Sequence, residues 1–171
     1  MPALFGLGTP RWGPAARADI IGLDASSTGA DIAEAAMLGV VHQVADAVDA
    51  VRGGLAGPLE LARVDGGLGR NDSVLQAIAD LTGIALERPT MTEATALGAG
   101  ALAGLGTGLW DTAALGWLPF DAGSRVTPGL PEAARTRIRN TWKAVLSRSL
   151  AGWQAAGSGA GSGAGDTGSS L

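Results

Sequence analysis

A glycine-rich stretch between a short apolar run and a helix-like segment is the part of this sequence best suited to chemistry. It reads Asp-Gly-Gly at residues 65–67, follows the apolar residues 59–64, and runs into Asn71, where helical spacing begins. Glycines let a backbone come close to a ligand, and the free N–H groups of a first helical turn face an anion. The stretch therefore predicts a turn that binds phosphate or ribose, although a purely structural glycine turn has the same pattern.

This turn and the residues that follow it resemble the C-terminal signature of the FGGY carbohydrate kinases. The resemblance covers residues 65–71, the Glu-Arg-Pro at residues 87–89 and the Glu-Ala-Thr-Ala-Leu-Gly-Ala at residues 93–99. Residues 2–12, which read Pro-Ala-Leu-Phe-Gly-Leu-Gly-Thr-Pro-Arg-Trp, are similar to a loop of the glycerol kinase branch of that family. The resemblance runs in the same order along the chain as far as the last predicted helix.

The resemblance assigns roles to individual residues of the turn. In this family a cleft between two domains holds ATP, magnesium and the sugar or polyol, so Gly67 and Asn71 are expected to contact the nucleotide. Glycine permits close backbone contact and an asparagine amide offers both a donor and an acceptor, which agrees with these roles. Gly66 is expected to shape the turn. Asp65 has two candidate roles, bracing the turn through backbone N–H groups or orienting magnesium-bound water, and the first is favoured.

The function implied by the resemblance is ATP-dependent phosphorylation of a polyol or sugar, in the manner of a glycerol kinase. The implied cofactors are ATP and Mg²⁺, and the small-molecule substrate is expected to bind through an N-terminal domain. We assign no catalytic residue and no metal ligand to this chain, because the family's base and polyol contacts lie in segments absent from these residues. The chain is therefore expected to supply a nucleotide-binding half and to be inactive alone. A xylulokinase-like sugar kinase and a non-catalytic remnant or assembly module are the alternatives.

Composition limits the class of protein further. The chain has 171 residues, of which 46% are hydrophobic, and a net charge of −4, which argues against a nucleic-acid partner. It contains no cysteine and one histidine, so neither a thiolate nor a histidine-rich metal site is expected. The longest uncharged stretch is short and weakly apolar, and no secretory signal is recognised. We expect a cytoplasmic protein that does not bind membranes; association of the chain with itself stays open.

Local spacing predicts the helices that flank the turn. Thr28 and Asp31 have the spacing of a helix start, and apolar residues then recur every three or four positions as far as a pair of glycines. Asn71 or Asp72 is predicted to cap the helix that follows the turn, and Gly83 is predicted to end it. These signals place the turn directly before a helix N-terminus.

The remaining elements are predicted by apolar runs and breakers. Residues 59–64 and 84–88 are predicted strands, a further helix opens at Thr92, and a last helix covers residues 131–153. Residues 20–23 predict an edge strand or a turn. Together these elements indicate an α/β fold with a small parallel sheet covered by helices.

Two domains of unequal character are expected. The resemblance implies that residues 1–155 are part of an actin-like, ribonuclease-H-like ATPase domain, the C-terminal domain of an FGGY kinase without its first strands. Those strands lie upstream in the family, which would leave an unpaired sheet edge here. Residues 156–171 are rich in glycine, serine and alanine and predict a disordered tail.

Side chains at three places outside the turn carry predictions that bear on packing. His42 is predicted to be a solvated or hydrogen-bonded surface histidine, near Asp46 on a helix flank. The basic residues of the last helix, Arg139 among them, predict a largely solvated face. Phe5 and Trp12 are predicted to anchor the first loop by packing.

Overall fold

The structure is a computed structural model that describes residues 1–90, 93–113 and 123–159. Its helices and strands within these ranges are α1 (Gly29–Gly53), β1 (Leu61–Arg63), α2 (Asp72–Thr82), β2 (Ala85–Arg88), α3 (Ala94–Gly106), β3 (Ser124–Val126) and α4 (Glu132–Gly159), with a 3₁₀ turn (Gly67–Arg70) between β1 and α2. None of the helices searched in these ranges is both long and apolar enough to span a bilayer.

The start of α1 confirms the predicted capping pair. The Thr28 hydroxyl accepts the backbone N–H of Asp31, and the Asp31 carboxylate accepts the backbone N–H of Thr28 at 2.8 Å. Hydrogen bonds from the Thr28 hydroxyl and backbone lower the pKa of Asp31, because they favour its charged form. The helix ends at Gly53, the first glycine of the predicted pair.

Helix α2 also begins and ends where the sequence predicts. Asn71 is its N-cap, and Gly83 ends it in the left-handed conformation at φ 70°, with its N–H bonded to the carbonyl of Ala79. Glycine suits that conformation because it has no side chain to clash. The buried face of α2 includes Leu75 and Ile78, as its apolar spacing predicts.

The sheet has three strands in the order β1, β2, β3, and only one of its two pairings is parallel. Leu61 lies opposite Ala85 in the parallel pair, whereas Leu86 lies opposite Val126 in an antiparallel pair. The parallel pairing expected of the two predicted strands is therefore confirmed, whereas the antiparallel pairing is made by a strand that the sequence did not predict, β3. That strand reads Ser-Arg-Val, so it has no apolar alternation from which a sequence could indicate a strand.

Two buried clusters hold the layers together. The larger joins α1 and α2 to the first two strands, with Val41, Leu75 and Leu86 almost completely buried. The smaller joins the N-terminal segment to α4 through Leu7, Trp142 and other residues. Strands β1 and β2 and helix α2 therefore pack on α1, and this packing fixes the position of the turn between β1 and α2.

A buried polar cluster, rather than a solvated face, joins α1 to α4. The His42 ring stacks on Trp142 with 4.7 Å between ring centroids, and Arg139 donates to His42 Nδ1 at 3.1 Å. Arg139 also pairs with Asp46, which accepts Trp142 Nε1–H at 3.1 Å. The surface assignments of His42 and Arg139 are wrong, because both side chains lie at the contact between the two helices.

The N-terminal segment differs from its prediction in two places. Phe5 is 99% exposed and Trp12 is 74% exposed, so neither anchors the loop. Residues 20–23 form neither a strand nor a turn, since no strand of the described residues lies beside them. Gly22 has φ 86°, outside the extended region, and the backbone of residues 20–23 makes no hydrogen bond to the described part of the chain.

The later part of the chain leaves two predictions open. Thr92, the predicted cap of α3, lies outside the described residues; in the structure Glu93 is the N-cap position and its side chain caps no N–H. Helix α4 ends at Gly159, and residues 160–171 also lie outside the described part. The division of the chain at residues 155 and 156 stays a prediction.

Candidate functional site

The glycine-rich turn lies at the carboxyl end of β1 and at the N-terminus of α2. The N–H of Val64 still bonds to the carbonyl of Glu87 in β2, at 2.9 Å, and the chain then reverses at Gly66. Gly66 has φ 93° and ψ 179°, a conformation that is essentially restricted to glycine. In α/β sheets this edge, beyond the carboxyl ends of the strands, is where ligands usually bind.

The three glycines of the turn have different surroundings. A Cβ placed on Gly66 or Gly67 would find no atom within 4 Å, so this face of the turn is open. A Cβ on Gly69 would lie 3.4 Å from a Val64 methyl carbon, which is ordinary van der Waals contact, so this buried glycine lies on the packed side of the turn. Gly66 provides the conformation of the turn, and Gly67 presents backbone to open space without a positive φ of its own.

Asn71 is both the cap of α2 and an exposed polar group beside the turn. Its Oδ1 accepts the backbone N–H of Val74 at 3.2 Å. Because only the carbonyl oxygen of an amide can accept, this bond fixes which end of the side chain faces the helix. The Nδ2 group makes no hydrogen bond to any residue that the structure describes, so its two donors remain available.

Asp65 braces the neighbouring helix through a backbone N–H. Its Oδ2 accepts the N–H of Ala94, the first residue of α3, at 2.8 Å. A carboxylate is favourable there because it satisfies a free N–H and faces the positive end of the helix dipole. Asp65 therefore braces α3 rather than the turn that the sequence predicted, and its bond to a backbone N–H agrees with a structural role.

Arg88, to which the sequence assigned no role beyond its place in the Glu-Arg-Pro signature, connects three parts of the site. Its guanidinium donates to Asp72 at 2.8 Å, to the Gly69 carbonyl at 3.3 Å and to the Ser124 hydroxyl at 3.0 Å. Its position at the end of a predicted strand next to the turn was a signal that could have identified it. Through these hydrogen bonds Arg88, which lies in β2, connects the turn, the start of α2 and β3.

A shallow cavity of about 460 Å³ lies beside Arg88. It is lined by Arg70, Arg88, Pro89, Thr90, Gly123 and Ser124. The Arg70 guanidinium lies 3.6 Å from the Glu93 carboxylate. Both guanidinium groups that line the cavity face carboxylates, Arg70 that of Glu93 and Arg88 that of Asp72.

The described residues do not fit a protein-held Mg²⁺ ion. Within residues 1–90, 93–113 and 123–159, no three histidine, cysteine, aspartate or glutamate side chains are grouped as metal ligands. Asp65, which directly precedes the glycines in the chain, accepts the Ala94 N–H through Oδ2. Oxygen ligands for Mg²⁺ would have to come from a bound nucleotide, water or other parts of a protein.

Comparison with known proteins agrees with the resemblance of the turn. Residues 1–107 match the sequence profile of the C-terminal domain of the FGGY family of carbohydrate kinases. The chain is 40% identical over 157 residues to the glycerol kinase of Koribacter versatilis, covering 91% of this chain and 31% of that protein. The chain therefore spans less than a third of the length of this curated relative.

Solved structures show the same fold. Plasmodium falciparum glycerol kinase, solved with ADP, superposes with a TM-score of 0.71 at 29% identity, over 87% of this chain and 30% of that one. Ligand-bound xylulose kinase from Lactobacillus acidophilus superposes with a TM-score of 0.68 at 23% identity, over 88% and 30%. The second likeness, at that identity, is a likeness of fold.

Proposed function

Because the chain belongs to the FGGY family of carbohydrate kinases, whose actin-like ATPase fold it shares, we propose that it supplies the nucleotide-binding part of an ATP-dependent polyol kinase. The observation that carries this proposal is the open backbone at Gly67 on the ligand-binding edge of the sheet. Glycerol is the proposed substrate, because the relative at 40% identity is a glycerol kinase. The xylulose kinase likeness supports the fold alone.

The residues of this chain would bind and orient the nucleotide, not react with it. Gly66 holds the turn in the conformation that exposes Gly67, so a flat or anionic group can approach the backbone without meeting a side chain. Asn71 Nδ2 offers donors to the same ligand, while its Oδ1 keeps α2 in place. Arg88 donates to the Gly69 carbonyl and so connects β2 to the turn.

The chemistry itself requires groups that this chain does not provide. When bound, ATP supplies the phosphoryl group, and phosphoryl transfer then depends on positioning, metal ions and a group that accepts the proton of the attacking hydroxyl. We expect the base and the polyol contacts to lie in the N-terminal part of a complete kinase. Mg²⁺ would be held there and by the phosphates, since the described residues of this chain offer no ligand set.

Titration of the chain with ADP, followed by NMR, tests the assignment of the turn. Gly67→Val places a branched side chain where the ligand must approach, and because that space is empty and φ is ordinary, the variant is expected to fold. We expect binding to weaken at least about tenfold, a loss of roughly 1.4 kcal/mol. Gly57→Val is the matched control, since Gly57 is also open and lies before β1 rather than in the turn.

Asn71 gives a second variant for the same titration. Asn71→Ser keeps a cap for α2 and removes the amide donors, so we expect ADP binding to weaken by about 1 kcal/mol, the scale of one net hydrogen bond. Unchanged binding in Gly67→Val would show that the nucleotide does not use this turn. Absence of ADP binding to the unaltered chain would favour a non-catalytic role.

A further inference from the structure

Arg88, the last residue of β2, contacts the glycine-rich turn at its buried end. One guanidinium nitrogen, Nη1, donates both to the Gly69 carbonyl at 3.3 Å and to Asp72 Oδ1 at 2.8 Å. Gly69 is buried, whereas a Cβ placed on Gly67 meets no described atom within 4 Å. Arg88 therefore holds the turn without filling the open space above Gly67.

The two bonds from Nη1 lie on either side of the residue whose side chain is proposed to contact the nucleotide. Asn71 follows Gly69 and precedes Asp72, so one guanidinium is bonded to the chain both before and after it. The Asn71 side-chain oxygen bonds to the first turn of α2, so a movement of that helix start also moves the amide. A shift of Gly69 or Asp72 relative to β2 therefore changes the spacing between the Gly67 backbone and the Asn71 amide.

The guanidinium is itself oriented by the strand on the other side of β2. Arg88 lies opposite Ser124 in the antiparallel pair, and its Nε donates to the Ser124 hydroxyl at 3.0 Å. A planar guanidinium has donors in fixed directions, which the ammonium group of a lysine on its flexible stem does not reproduce. The direction in which Arg88 donates to the turn is therefore fixed by the sheet.

The contacts of Arg88 favour a positioning role over direct binding of a phosphate group. Its guanidinium faces the carboxylate of Asp72, so its charge is paired at the start of α2. A hydrogen bond between two charged groups is about twice as strong as one between neutral groups. A nucleotide phosphate at Arg88 would have to compete with that carboxylate.

We propose that Arg88 is a positioning residue for the nucleotide, which sets the spacing between the Gly67 backbone and the Asn71 amide without contacting the ligand. The identity of the ligand rests on the proposed function, whereas the geometry of the turn rests on the contacts of Arg88. The two can therefore fail separately.

The test compares the unaltered chain with Arg88→Met, because methionine keeps an unbranched stem and removes every donor. Amide hydrogen exchange is measured at Gly69 and Asn71, whose N–H groups bond to carbonyls within the turn. We expect exchange at both amides to accelerate at least about tenfold, while exchange at Ile78 in the middle of α2 changes less than about twofold. Equal acceleration at all three amides identifies a general loss of stability and overturns the proposal.

ADP titration of the same samples, followed by NMR, measures the consequence for binding. We expect ADP binding to weaken about fivefold to tenfold in Arg88→Met, the scale of one lost hydrogen bond. Unchanged binding in a variant whose turn exchanges faster overturns the proposal. Weaker binding with unchanged exchange indicates direct contact with the ligand and also overturns it.

Two control variants separate geometry from charge. Arg125→Met removes an exposed guanidinium of β3 that makes no hydrogen bond or ion pair to a described residue, so exchange and binding are expected to stay unchanged. Arg88→Lys keeps the positive charge without the planar donors, and we expect it to restore neither property. Recovery of ADP affinity in Arg88→Lys while the turn still exchanges fast overturns the proposal.

Smaller changes decide the matter where Arg88→Met does not fold. Ser124→Ala removes only the contact at Nε, and Asp72→Asn removes the charge of one acceptor. We expect each to accelerate exchange at Gly69 about threefold, and unchanged exchange in both overturns the proposal. Absence of ADP binding to the unaltered chain contradicts the proposed function, and the exchange rates alone then support or overturn the role of Arg88.

Discussion

The residues of the turn have three separate roles: they set its backbone conformation, pack against neighbours, or leave space for a ligand. Gly66 adopts a backbone conformation that other residues avoid, Gly69 packs against Val64, and Gly67 leaves open space above the backbone. The two ends of the Asn71 amide also differ in role, since its oxygen caps α2 and its nitrogen is available as a donor. A substitution in this turn can therefore affect folding or binding separately, which makes the binding role testable.

His42 is the residue whose titration should affect stability. Burial, together with the charge of Arg139, lowers its pKa from 6.5 to about 4, while Asp46 acts in the opposite direction. Because a guanidinium can only donate, His42 Nδ1 must accept from Arg139, and a protonated ring could not. The folded chain therefore holds His42 neutral, whereas the unfolded chain protonates it near pH 6.5.

The predicted pH dependence follows from this difference in proton binding. The contribution of His42 to the free energy of unfolding is complete above about pH 6.5 and is lost as pH falls towards 4, because the unfolded state then binds more protons. Urea unfolding of wild type and His42→Gln across this range measures it. We expect the difference in stability between the two proteins to shrink on acidification. A constant difference would contradict the assignment.

At the scale of elements, one carboxylate connects the end of β1 to the start of α3. Asp65 precedes the glycines and accepts the N–H of Ala94, whereas Glu93 at the N-cap position makes no such bond with its side chain. The helix is therefore capped from a different element. This contact fixes the orientation of α3 relative to the turn.

Removing that cap should loosen α3. We expect Asp65→Ala to lower the free energy of unfolding by about 1 kcal/mol, the usual cost of losing an N-cap, and Asp65→Asn to lose less. Hydrogen exchange of the first amides of α3 should accelerate in the alanine variant. Glu93→Ala is the control, with an expected change within about 0.5 kcal/mol, since its ion pair with Arg70 is exposed. Equal losses in both variants would refute the cross-element cap.

At the scale of the whole molecule, the chain has a packed core and one side that is incompletely covered. The core joins α1 and α2 to the sheet, while apolar residues at the N-terminal segment remain exposed. The sheet has three strands in the described residues, and relatives are about three times longer than the match.

The corresponding prediction concerns activity. We expect the purified chain to show no glycerol phosphorylation, because one wall of a nucleotide cleft cannot position the acceptor hydroxyl or its base. A coupled assay of ADP release, with a panel of polyols and sugars, measures this. A fusion of this chain to the region that precedes the match in the Koribacter versatilis glycerol kinase is the positive comparison. Turnover by the chain alone near ordinary kinase values, about 1–100 per second, would refute the prediction.

The sequence by itself determined the elements whose signals are local. The capping pair at Thr28 and Asp31, the cap at Asn71 and the stop at Gly83 all act within a few residues, so spacing alone predicts them. The glycine turn and its resemblance to one family were equally evident, because the required residue types are adjacent in the chain. Site assignments at Gly66, Gly67 and Asn71 stay predictions until binding is measured.

Only the tertiary structure decided which side chains find distant partners. Asp65 and Ala94 are 29 residues apart, and Arg139 and Asp46 are 93 apart, so no local pattern indicates that they meet. The sequence could not predict β3 or its antiparallel direction for the same reason. Its short polar sequence does not indicate a strand, and only its pairing with β2 makes it one. Helical spacing shows which face of a helix a side chain occupies, and tertiary packing alone determines whether another element covers that face.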